Sequence, residues 1–106
     1  MISKDIIEQL AAEELVDANT KHDPKFNSPH EAYAVIKEEL EEMQLEVELI
    51  GDRLNMMWDC VKNDNDTMTE RNLEYMKAYA VKAVQEGIQV IAMCDKALKL
   101  YENENK

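Results

Sequence analysis

A chain of 106 residues, 45% hydrophobic and 33% charged, has the composition of one globular domain rather than a disordered tail or two independent folds. Its formal net charge of -11 sets it against nucleic-acid backbones and anionic membranes as partners and favours cations, or ligands that arrive with cations. Two glycines and two prolines leave little turn chemistry for a sheet, so the expected fold class is all-α.

No apolar run approaches the roughly 20 residues of a membrane span. Met1-Ile2-Ser3-Lys4-Asp5 lacks the apolar stretch of a signal peptide, and the expected location is cytoplasmic. Cys60 and Cys94 have no second thiol or histidine at metal-ligand spacing and read as reduced thiols. His22 and His30 have no Ser, Cys or Asp at a telling spacing, which leaves a nucleophilic triad without support.

The first helix is expected over about 3–19, capped by Ser3, with Ile6, Ile7, Leu10, Leu15 and Val16 as its apolar members. Thr20 to Asn27 then reads as a loop in which Phe26 is the one large apolar residue. Ser28-Pro29-His30-Glu31 is a strong helix start: a capping serine, proline at the first helical position and a glutamate placed to close a capping box. The second helix is expected over 29–62. Its Ile36, Leu40, Met43, Val47, Ile50, Leu54, Met57 and Val61 recur in alternating steps of four and three, the seam of a helix packed along others. Unbroken, such a helix runs about 50 Å, against about 33 Å for a compact globule of this chain length. Either it bends near Gly51 or it finds part of its core in a partner subunit, and partner packing is the favoured expectation.

Asn63 to Thr69 is polar and turn-like, with Thr67 and Glu70 offering a second capping box. The third helix is expected over 69–102. It carries one stripe through Leu73, Met76, Ala80, Ala83, Gly87, Val90, Cys94, Ala97 and Tyr101, and a neighbouring one through Val81, Val84, Ile88, Ile91 and Leu98. So wide an apolar face places this helix centrally. Asn103 to Lys106 is expected to fray. The whole chain, 1–106, is thus read as a single helical bundle of three main helices that completes its core by oligomerising.

Function is suggested by an electrostatic conflict. Glu38, Glu39, Glu41, Glu42, Glu46 and Glu48 crowd one helix, where like charges a turn apart repel by roughly 0.2–0.5 kcal/mol per pair. On the helical wheel Val35, Glu39, Glu42, Glu46 and Leu49 share a stripe beside the apolar seam, whereas Glu38, Glu41 and Glu48 project toward solvent. The stripe reads as a buried surface interrupted by acid, and buried carboxylates are normally paired, protonated or bound to metal. Oxygen-only ligands suit a hard divalent ion, Mg²⁺ first and Mn²⁺ second. On the third helix Tyr75, Tyr79, Lys82, Glu86, Gln89, Met93 and Lys96 form a matching stripe. If the two helices pack antiparallel, Glu86 and Gln89 face Glu39 and Glu42 across a cleft, and Lys82, with Tyr79 nearby, can reach a phosphate. Trp58 with Met56 and Met57 is expected to fill core or a subunit interface rather than to stack a base.

The run from Ser28 to Glu42 resembles the MazG-like all-α nucleoside triphosphate pyrophosphohydrolases, and is closest to their small phage and prophage members. That superfamily reads E-E-x-x-E on one helix and E-x-x-D on the next. Glu38-Glu39-Leu40-Glu41-Glu42 matches the first motif, and Glu86-Gly87-Ile88-Gln89, continued by Val90-Ile91-Ala92-Met93, is similar to the second. The likeness covers about 29–46 and 80–98. Gln89 departs from the usual aspartate; its amide oxygen can coordinate a metal but brings no charge. The resemblance implies hydrolysis of a nucleoside triphosphate to monophosphate and pyrophosphate by a homodimer or homotetramer. It implies Mg²⁺ held by Glu39, Glu42 and Glu86, and Glu38 or Glu46 orienting or deprotonating the attacking water. The alternative is a non-enzymatic, phage-derived helical oligomer whose acidic face binds a protein partner, followed by a plain metal-binding oligomer.

Overall fold

The computed structural model describes residues 1–102, and over them the chain is helical with no strand. Helix α1 spans Lys4–Lys21, α2 Pro29–Lys62 and α3 Asp66–Leu98, followed by a single 3₁₀ turn, Lys99–Tyr101. The expected fraying of 103–106 lies outside the described residues. No described helix is long and apolar enough to cross a membrane.

Each helix start has a local cause. Ser3 accepts from the Ile6 amide at 3.2 Å, and Ser28 accepts from the Glu31 amide at 3.2 Å with Pro29 opening α2, as the sequence suggests. The Glu31 carboxylate reaches one residue past the cap, taking the Asn27 side-chain amide at 3.0 Å. The third helix starts at Asp66 rather than 69, because Asn65 rather than Thr67 is its cap: the Asn65 side-chain oxygen accepts from the Met68 amide at 3.2 Å. The turn before it is tight. The Asn65 amide returns to the Cys60 carbonyl at 2.9 Å and the Asp64 amide to Val61 at 3.2 Å, with Asp64 at φ 54°, a left-handed helix cap that is usually glycine.

The described chain divides into two compact units. The first joins 1–40 to the segment that begins at Glu86. Its core is Ala11, Leu15, Phe26, Ala32, Ala92 and Met93, with Val35, Ile36, Ile88 and Ile91 packed against it. Burying Leu15, Phe26 and Met93 contributes about 1.5–3 kcal/mol each before conformational entropy is counted. On α1 the buried line is Ala11 and Leu15 with Ala18 beside them, so Ile6, Leu10 and Val16, expected to be apolar members of the packed face, are exposed. The line steps by four and three, and its alanines admit neighbouring helices closely; the larger residues lie off that line.

The second unit, Glu41–Gln85, is the rest of α2 and α3 as an antiparallel pair, since Glu46 meets Lys82 while Arg53, further along α2, meets Tyr75 and Asn72, further back on α3. Helix α2 runs unbroken through Gly51. Here the seam splits. Met43, Ile50 and Met57 are half-buried, whereas Val47, Leu54 and Val61 are exposed, Leu54 by 53%. One position of each heptad turns toward α3 and the other away. Glu46, Asn72 and Ala83 are the buried residues of this unit. Asn72, 1% exposed, accepts from Arg53 at 3.4 Å and donates to the Met68 carbonyl at 3.0 Å and toward the Cys60 sulfur at 3.7 Å. Cys60 and Cys94 are both free thiols.

Candidate metal centre and the adjoining cavity

The glutamates of α2 divide as their spacing indicates except at Glu42. Glu39 is half-buried and Glu46 buried on the stripe that also carries the half-buried Val35 and Leu49, while Glu38, Glu41 and Glu48 are exposed. Glu42, on the same stripe, is exposed. Glu39 and Glu86, both in the first unit, each offer a carboxylate oxygen within 4.8 Å of the other. Glu42 follows Glu39 by one turn on the unbroken α2, and Glu86 comes from the antiparallel α3. Like-charged groups this close repel unless a cation is shared among them. All the donors are oxygens from flexible side chains, which fits a hard divalent ion such as Mg²⁺ or Mn²⁺ and not a soft, thiolate-seeking one.

A cavity of about 630 Å³ in the first unit has Glu38, Glu39 and Gln89 in its wall, together with Glu14 and Asp17 of α1, Phe26 of the loop, and Met93 and Lys96 of α3. Gln89 lines the same cavity as Glu39, and its Nε2 donates to the Glu14 carboxylate. Glu14 is the site residue that sequence reasoning missed. Its signal was available: Glu14 neighbours Leu15 and lies one turn from Ala11 and Ala18, so it borders the buried line of α1.

Lys82 and Glu46 meet each other. The Lys82 ammonium lies 3.8 Å from one Glu46 oxygen, while the other oxygen is buried without a hydrogen-bond partner, and Glu46 as a whole is 8% exposed. A buried carboxylate held by one cation is a positioned group rather than a solvated one. Tyr79 stacks on Tyr75 at 6.2 Å between ring centroids, and the Arg53 guanidinium sits 4.0 Å over the Tyr75 ring. Lys82 and Tyr79 are therefore engaged with Glu46 and Tyr75, all within the second unit. Trp58 is exposed, with the Lys62 ammonium 5.6 Å over its ring.

Comparison with protein-family models, with curated proteins and with solved structures finds no match to this chain.

Proposed function

We propose that this chain is a Mg²⁺-dependent nucleoside triphosphate pyrophosphohydrolase, or a relative of reduced activity, cleaving between the α- and β-phosphates to give monophosphate and pyrophosphate. The observation that carries this reading is the convergence of Glu39 and Glu86, which offer carboxylate oxygens within 4.8 Å of each other, with Glu42 one turn from Glu39 on α2. These residues would hold the ion, which when bound supplies positive charge against phosphate oxygens. The adjoining cavity has room for a nucleotide, since pockets that enclose small ligands run about 300–1,000 Å³. Glu38, in the cavity wall next to Glu39, is the carboxylate placed to take a proton from water. Glu46, tied to Lys82, is better suited to orienting its helix pair than to proton transfer. Gln89 brings no charge and is bound to Glu14, which is why reduced activity belongs to the proposal.

Self-association as a homodimer or homotetramer is part of the same reading. It is supported by the apolar residues that α2 and α3 leave uncovered in the second unit, among them Val47, Leu54, Trp58 and Val84.

The test is incubation with a panel of ribo- and deoxyribonucleoside triphosphates and Mg²⁺. Pyrophosphate release is expected, falling on the order of 100-fold in Glu39→Gln. Mg²⁺ at a hundred times its dissociation constant should add about 2.7 kcal/mol of stability in the wild type and lose that effect in Glu39→Gln. Absence of pyrophosphate from every triphosphate, with a thermal midpoint indifferent to Mg²⁺, would move the assignment to the acidic face as a protein-binding surface.

A further inference from the structure

A smaller hollow of about 220 Å³ is lined by Lys25, Phe26, Lys96, Lys99 and Leu100. In a chain with 12 basic against 23 acidic residues, three lysines without one acid among the described lining residues reverse the local charge. Among the described residues, none of the three forms an ion pair. Lys25 comes from the loop after α1, Lys96 from the last turn of α3 and Lys99 from the 3₁₀ turn, one helical step beyond.

Lys96 is the informative member. It is 5% exposed, and its ammonium sits 4.6 Å from the centre of the Phe26 ring. An aromatic face offers a desolvated cation about 2 kcal/mol, whereas taking an ammonium out of water costs several. The carbonyl end of α3 favours cations by about 0.3–1 kcal/mol, enough to explain an exposed lysine there but not a buried one. The remaining deficit is what an anion in the hollow would offset. Lysine binds phosphate as a point charge, and three converging on one hollow suit a tetrahedral oxyanion with several acceptor oxygens. The volume falls below the about 300 Å³ at which pockets begin to enclose whole small ligands, so a bare phosphate or pyrophosphate suits it better than a nucleoside.

We propose that Lys25, Lys96 and Lys99 form a phosphate-binding subsite, separate from the carboxylate cluster and independent of any metal held there. Phe26 and Lys96 also line the larger cavity that contains Glu39, so the same buried pair borders an acidic chamber and a basic one.

The full chain, labelled with ¹⁵N and kept in EDTA at constant ionic strength, is titrated with sodium phosphate, with pyrophosphate and with a nucleoside monophosphate, and followed by amide chemical shifts. Saturable shifts at 25–27 and 95–100 are expected with phosphate or pyrophosphate, but not with sodium chloride. Lys96→Met, which keeps the apolar stem, should weaken binding about tenfold, and the solvent-side Lys99→Gln about threefold. Glu39→Gln should leave it unchanged, which separates this subsite from the carboxylate site. Markedly tighter binding of the monophosphate would assign the subsite to the phosphate of a nucleotide, and equal affinities to free phosphate. Linear shifts without saturation, the same response to chloride, or affinity unaltered in both Lys96→Met and Lys99→Gln would overturn the proposal; should Lys96→Met fail to fold, Lys99→Gln decides alone.

Discussion

The unit built from 1–40 and the end of α3 buries Leu15, Phe26 and Met93 among alanines, while the unit 41–85 buries Glu46, Asn72 and Ala83 and leaves Val47, Leu54 and Val84 in water. The two halves of α2 have much the same apolar spacing, so pattern does not separate them. Layers do. In the first unit α1 and the loop carrying Phe26 cover α2 and α3 from another side, which gives apolar residues on more than one face a place to pack. In the second, α2 has only α3, and a single line of contact can enclose one residue per heptad. Beside that line the pair also buries polar contacts, Asn72 bonded by Arg53 and Glu46 by Lys82. A helix pair that buries polar contacts in its seam and leaves large apolar residues outside has the organisation of half an interface.

Four substitutions would break or sharpen this contrast. Phe26→Ala should have the largest effect, lowering stability of the first unit by about 3–5 kcal/mol in chemical denaturation, because removing a buried aromatic ring leaves a cavity. A loss under about 1 kcal/mol would show that the first unit is no better packed than the second. Leu54→Glu should act on assembly instead. Sedimentation should show a shift to the smaller species, with about 1.5–3 kcal/mol lost per side chain, and a wild-type chain that is monomeric at high concentration would refute the proposed covered face. Asn72→Ala removes a bonded, buried amide and should cost about 1–3 kcal/mol, read from the denaturation midpoint; a neutral result would mean that water replaces the bonds to Arg53 and Cys60. Asp64→Gly, at the left-handed cap joining the two helices of the second unit, should stabilise by about 0.5–1 kcal/mol in thermal unfolding, and any loss would assign the aspartate carboxylate a role beyond the turn.

Helix positions were largely legible in the residues. Ser3 and the Ser28-Pro29 pair mark two starts correctly, since a cap is a contact made within one turn. Asn65 is harder to read as a cap than Thr67 because it both closes α2 and opens α3, and propensity rules treat those ends separately. In the site, the wheel separates Glu39 and Glu46 from Glu38, Glu41 and Glu48, and an antiparallel partner brings Glu86 to the first of these. Glu14 escaped because large apolar residues drew attention on α1 while the close-packed line runs through alanines. The pairing of Lys82 with Glu46 was equally out of reach: a stripe lists which side chains share a face, not which of them meets the opposite helix first.

By itself the sequence determined that the chain is helical, where its first two helices begin, and which acids lie near the apolar seam, because caps and periodicity act over one or two turns. Only the tertiary structure decided that Glu86 joins Glu39, that Gln89 turns to Glu14, and that Lys96 is buried against Phe26. Those contacts link residues far apart in the chain, and their geometry follows from the register of separate helices and the path of the loop joining them, which no local spacing encodes.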